Sequence, residues 1–156
     1  MSEPAYPGLE VEAEPDYLRR AARVQAGTRL AIALALGLAA LGACGGGGPL
    51  ARATVADGPL VARFDRFARL DAPLRIELAL PPGAGAVELD AGYAGALAIE
   101  RVTPTPSAER ATPGGVRFEV DGDRVVFRVR PDRFGRVGGR VASGGRSVVL
   151  WHLVYP

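Results

Sequence analysis

The side chains that carry most enzyme chemistry are almost missing from this chain. It has one histidine, His152, and one cysteine, Cys44. All nineteen basic residues are arginine, and there is no lysine. Without lysine there is no Schiff base, no Ser-Lys dyad and no P-loop. A single cysteine and a single histidine cannot build a Cys/His zinc site or an intramolecular disulfide. His152 stands between Trp151 and Leu153 in an apolar run, the setting of a structural strand histidine. Asp121 and Asp123 flank a glycine, as calcium ligands can, but a turn accounts for them. Asp65, Asp71, Glu77, Glu88 and Asp90 are scattered carboxylates, and no Gly-x-Ser-x-Gly occurs. The expectation is a protein that is not an enzyme, with no catalytic residue, metal or cofactor.

What remains is arginine, alanine and the lone cysteine. Seven arginines fall between Arg124 and Arg146, against one acid, Asp132. Arg124, Arg128, Arg130, Arg133, Arg136 and Arg140 are candidates for a basic surface that meets anionic headgroups or an acidic partner. The plainer alternative puts the first three on the solvent face of one strand and the others on loops. Ala31, Ala35, Ala39 and Ala43 recur every fourth residue, which places them on one ridge of a helix. Small residues at that spacing let helix backbones pack closely in lipid. An alanine-rich composition would give the same pattern. Leu41-Gly42-Ala43-Cys44 has the spacing of a lipobox, which makes Cys44 a lipidation candidate.

These residues belong to Leu30–Ala43, fourteen positions without a polar side chain. The run lies in a charge-free interval of 22 residues between Arg29 and Arg52. A membrane helix needs about 20 residues, so a helix over 28–46 could just span, with Pro49 as a stop. A run of about 10–14 also fits a signal-peptide core or a buried helix. The acidic N-terminal segment argues against a signal peptide, although a start at Val24 would restore its proportions. Arg19, Arg20, Arg23 and Arg29 precede the run, which sets the N-terminus in the cytoplasm and the rest outside. The expected division is a largely disordered cytoplasmic tail (1–27), disordered over 1–15 and helical over 16–26 with Asp16 as N-cap, a transmembrane helix (28–46), a linker with a first strand (47–58) and an extracytoplasmic domain (59–156).

After Pro49 the apolar pattern changes to period two with frequent turn residues, which predicts strands. They are expected over 60–67, 74–80, 87–90, 97–102, 116–120, 123–129, 134–141 and 147–155, with 103–115 as a loop. The last is nearly continuous and apolar and should lie centrally. Asp121-Gly122 predicts a two-residue type I′ hairpin, with Phe118 opposite Val125, Val116 opposite Phe127 and Glu119 opposite Arg124. The fold class is therefore all-β, an immunoglobulin-like-size β-sandwich of about seven or eight strands after one N-terminal transmembrane helix. A small barrel is the alternative.

Several stretches resemble a family of small, uncharacterised bacterial envelope proteins. They are the glycine run with Pro49-Leu50, Phe64-Asp65-Arg66-Phe67, Pro131-Asp132-Arg133-Phe134-Gly135 with its glycine-rich continuation, and Leu153-Val154-Tyr155-Pro156. The resemblance implies a single-pass protein of the bacterial cytoplasmic membrane, often encoded beside a YetF-like membrane protein, and implies no activity. The expected partners are the bilayer and a multi-pass membrane protein, and not nucleic acid. The expected role is a non-catalytic accessory or binding protein. The alternative is a lipoprotein, anchored through Cys44, whose basic face binds envelope polyanions.

Overall fold

The structure is a computed structural model that describes residues 15–41 and 50–156. Within it are a helix and a β domain. Helix α1 runs from Pro15 to Ala40. Proline at a first helical position costs no hydrogen bond, and Ala, Leu and Arg are strong helix formers. Thr28 Oγ1 donates to the Val24 carbonyl at 3.0 Å, one turn back. The helix expected over 16–26 is therefore present, and it continues without a break into the apolar run; positions 1–14, expected to be disordered, lie outside the described residues.

The spanning helix expected over 28–46 is not what α1 provides. Its apolar part begins at Leu30 and its helical geometry ends at Ala40. At 1.5 Å per residue that part is about 16 Å long, roughly half of a bilayer's hydrocarbon core. Among the described residues no helix is long and apolar enough to cross a membrane. Positions 42–49, with Ala43 and Cys44, lie outside the described residues.

The β domain has eleven strands and one short helix. In chain order they are β1 (Arg52–Asp57), β2 (Leu60–Asp65), β3 (Phe67–Arg69), β4 (Leu74–Ala79), β5 (Ala86–Asp90), α2 (Ala91–Ala94), β6 (Leu97–Thr103), β7 (Ala108–Thr112), β8 (Gly115–Glu119), β9 (Arg124–Pro131), β10 (Gly135–Ser143) and β11 (Arg146–Tyr155). One sheet has the order β1-β2-β4-β9-β6 and the other β3-β11-β10-β5-β8-β7. Their inner faces share one core, with Leu60, Leu78, Val87, Phe118, Val125, Phe127, Val141 and Leu150 fully buried. The period-two pattern is thus the signature of two half-buried sheets.

Strand number exceeds the expectation for local reasons. The run expected as one strand from Leu60 breaks at Arg66. The chain leaves the first sheet there, and β3 pairs parallel with β11 in the second. The segment 103–115 contains β7, an edge strand whose mostly exposed residues gave no alternating signal. β11 is not central but second from an edge, covered on one side by three residues of β3.

The Asp121-Gly122 hairpin does not form. β8 pairs with β5 and β7, whereas β9 pairs with β4 and β6. The intervening residues carry the chain from one sheet to the other. Val120 N–H donates to the Gly85 carbonyl (3.0 Å) and Leu80 N–H to the Asp123 carbonyl (2.7 Å), which holds the crossing at both ends. Phe118 and Phe127 therefore meet across the core, edge to face, with centroids 5.4 Å apart. Glu119 pairs with Arg110 at 3.4 Å, not with Arg124. Two-residue hairpins lie elsewhere, one of them at Gly144-Gly145 between β10 and β11, where Ser143 is opposite Arg146. Both glycines have positive φ, 56° and 75°, as a type I′ turn requires.

Candidate binding surfaces

Among the described residues, His152 and Tyr93 form the one buried hydrogen bond between aromatic side chains, and both are 0% exposed. Tyr93 comes from α2, which Asp90 caps by accepting from Tyr93 N–H at 2.7 Å. His152 Nδ1 lies 2.6 Å from the Asp65 carbonyl, which can only accept, so Nδ1 carries the proton. Nε2 then accepts from the Tyr93 hydroxyl at 2.6 Å. Burial pushes the His152 pKa down, only partly opposed by the Asp65 carbonyl and charge, and keeps the ring neutral. Burial, with the Asp90 charge second, pushes the Tyr93 pKa up. With Phe64 edge-on to the imidazole at 5.3 Å, this cluster ties β2, α2 and β11 together. It is sealed from solvent and is a structural unit.

The scattered carboxylates are divided between the sheets. Asp65 and Glu77 pair with Arg52 (3.9 Å) and Arg75 (2.9 Å). Glu88 accepts from Thr112 Oγ1 at 2.9 Å. Asp90 accepts from the N–H groups of Tyr93 (2.7 Å) and Arg140 (2.6 Å). Glu88 and Asp90 line a cleft with Arg140, Gly114 and Val149, where both Asp90 oxygens and Oε1 of Glu88 are used by these local bonds. Asp121 and Asp123 are exposed in the crossing between sheets. Among the described residues no three His, Cys, Asp or Glu side chains are grouped as metal ligands.

The six basic candidates do not form one surface. Arg124, Arg128 and Arg130 alternate along the outer face of β9 in the five-stranded sheet. Arg136 and Arg140 lie on the outer face of β10 in the other sheet. Arg133, between them, donates to the Gly95 carbonyl at 3.3 Å and sits 3.6 Å from Asp132. The chain changes sheets between β9 and β10, and a run contiguous in sequence is thereby split.

Register brings in arginines that the sequence did not single out. Arg128 is opposite Arg75 on β4 and opposite Arg101 on β6. Arg63 on β2 is exposed on the same outer face. Only the pairing of strands could have revealed this row. The outer face of the other sheet has a different character. Val149 and Leu153, 62% and 45% exposed, flank Trp151 on β11. The Arg66 and Arg136 guanidinium carbons lie 5.7 and 5.4 Å from the Trp151 ring centroid. Gly138 faces Trp151 across the pair, and a Cβ there would stand 2.6 Å from the Leu150 carbonyl oxygen.

On α1 every described side chain from Leu18 to Leu41 is exposed, including those of Ala31, Ala35 and Ala39. The three alanines are on one helix at four-residue spacing. The fourth candidate, Ala43, and the lipidation candidate Cys44 lie outside the described residues.

No protein family, curated protein or solved structure matches the chain.

Proposed function

We propose that this is a membrane-tethered, non-catalytic binding protein. In this reading the β domain stands outside the cytoplasm and serves as an accessory to a larger membrane protein. The observation that supports it is the surface of α1. Leu30, Ile32, Leu34, Leu36, Leu38 and Leu41 are all exposed, between 45% and 66%. Together with the alanines and Gly37 between them they leave no polar side chain on any side of the helix over 30–40, and a helix apolar all round belongs in a core or in lipid. The arginines at 19, 20, 23 and 29 precede this part and fit a cytoplasmic N-terminus. The bilayer, and a helix of a multi-pass protein within it, are the proposed partners.

A second reading has its own support. The short apolar part of α1 suits the core of a lipoprotein signal, about 7–15 residues, better than a full span. The run then leads directly to Leu41-Gly42-Ala43-Cys44. The anchor would be lipid on Cys44, and the basic faces of the domain would meet envelope polyanions.

Membrane fractionation with an alkaline wash, followed by intact mass measurement, tests both. A chain that stays in the pellet with Cys44 unmodified supports the spanning tether. A chain shortened to Cys44 and heavier by a diacylglycerol supports the lipoprotein. Recovery of the intact chain in the wash overturns both.

A further inference from the structure

We propose that the outer face of the five-stranded sheet binds a linear, phosphate-rich polyanion, gripped by the arginine row Arg75–Arg128–Arg101. This deepens the polyanion-binding part of the second reading and rests on it for the class of ligand.

The row is set by register. Arg128 on β9 is directly opposite Arg75 on β4 and Arg101 on β6, so three arginines stand side by side on neighbouring strands. All three are exposed. Strands lie about 4.8 Å apart, so the row crosses roughly 10 Å of sheet. Like charges directly opposite one another destabilise a sheet. Arg75 is relieved by Glu77 at 2.9 Å, but Arg128 and Arg101 have no carboxylate or hydrogen-bond partner among the described residues. The other acids on this face, Asp65 and Glu100, are taken by Arg52 and Arg130. Arg63 and Arg124, also exposed and without such a partner, extend the unbalanced charge beside the row.

The chemistry of the face narrows its ligand. Every cation is a guanidinium, whose planar fork matches pairs of phosphate oxygens. No strand residue of this face is an exposed large hydrophobic; Phe134, Val149 and Leu153 belong to the other sheet and its approach. Anionic headgroups attract such a face by charge, but without apolar side chains to insert it gains nothing further from a bilayer, so it suits a polymer in water better than lipid. Nor does the face carry an aromatic ring, which single-stranded nucleic acids use as a stacking platform. What fits is a chain of anionic groups without bases, lying across the strands.

The test is titration of the full chain, in neutral detergent micelles, with long-chain inorganic polyphosphate. The parent should bind, with an affinity that falls steeply with salt, and orthophosphate at equal phosphate concentration should not compete. Arg128→Gln should weaken binding roughly tenfold and lower the salt slope by about one. It should also melt no lower than the parent, because the like-charge row is relieved. Arg101→Gln, at the sheet edge, should lose binding likewise, and Arg117→Gln on the other sheet should bind as the parent does. The proposal is overturned if the parent does not bind, if both row variants keep the parent's affinity, or if Arg117→Gln loses as much as they do. It is equally overturned if anionic phospholipid vesicles bind through these arginines and polyphosphate does not. A null titration leaves the tether reading intact, because that rests on the membrane pellet and the mass at Cys44.

Discussion

Tyr93 donates a hydrogen bond to Nε2 of His152 at 2.6 Å, and the two rings lie parallel with centroids 5.9 Å apart. The bond needs a protonated hydroxyl and a neutral imidazole, so it makes the fold sensitive to pH from both sides. His152 has a lowered folded pKa. Below the unfolded value of about 6.5 the unfolded chain binds the proton first, so stability is full above that pH and declines as pH falls through it. Tyr93 has a raised folded pKa. Above the unfolded value of about 10 the unfolded chain loses the proton first, so stability declines as pH rises. Melting temperature against pH should form a plateau between these limits. Tyr93→Phe should flatten the alkaline limb and lower the plateau by about 1–3 kcal/mol, since Nε2 is left buried without a donor. An alkaline limb of the parent's steepness in that variant would remove Tyr93 as its cause.

Phe118 on one sheet and Phe127 on the other meet in the shared core, so truncating either should be costly. Phe127→Ala should lose about 3–5 kcal/mol in denaturant unfolding, as should Phe118→Ala. The double variant should lose less than the sum, because each ring's edge-to-face partner is already gone. Strict additivity would mean that the rings act through separate parts of the core.

Several strands were legible because alternation is a local property. Val125, Phe127 and Val129 face the core while Arg124, Arg128 and Arg130 face water, and the sequence alone says so. Pairing was not legible. The alternation around Phe118 and Phe127 fits the two strands of a hairpin and strands of two facing sheets equally well. Asp121-Gly122 marks a reversal of the chain without saying which kind. Arg66, where the chain passes from β2 toward β3, takes the next inward position after Leu60, Ala62 and Phe64, so a break in the alternation is the only local trace of the change of sheet. The basic candidates are divided between the two sheets for the same reason. Arg128 was found and its row partners Arg75 and Arg101 were not, because they are adjacent only through register.

The true type I′ turn offers a direct check on the corrected topology. Gly145 has φ 75° and open space around its Cα, so a side chain there meets strain from the backbone alone. Gly145→Val should destabilise the domain by about 1–3 kcal/mol, and Gly145→Asn much less, because asparagine tolerates positive φ. Equal melting of the two variants would show that the β10–β11 turn does not constrain the fold.

The last prediction concerns what the tether does beyond anchoring. Ala31, Ala35 and Ala39 lie on α1 one turn apart, with every described neighbour on the helix exposed. In lipid no hydrophobic drive brings helices together, so close packing of small side chains supplies the attraction. If the ridge docks against a partner helix, replacing Ala35 and Ala39 together by leucine should abolish the complex. Leucine keeps the segment apolar and is a strong helix former, so membrane retention should not fall. The measurement is co-purification from detergent-solubilised membranes, with crosslinking to detect self-association if the partner is another copy. Loss of the complex with retention in the membrane would assign the contact to the ridge. Full recovery of the complex in the double variant would mean that the alanines are only composition and that the β domain carries the interaction alone.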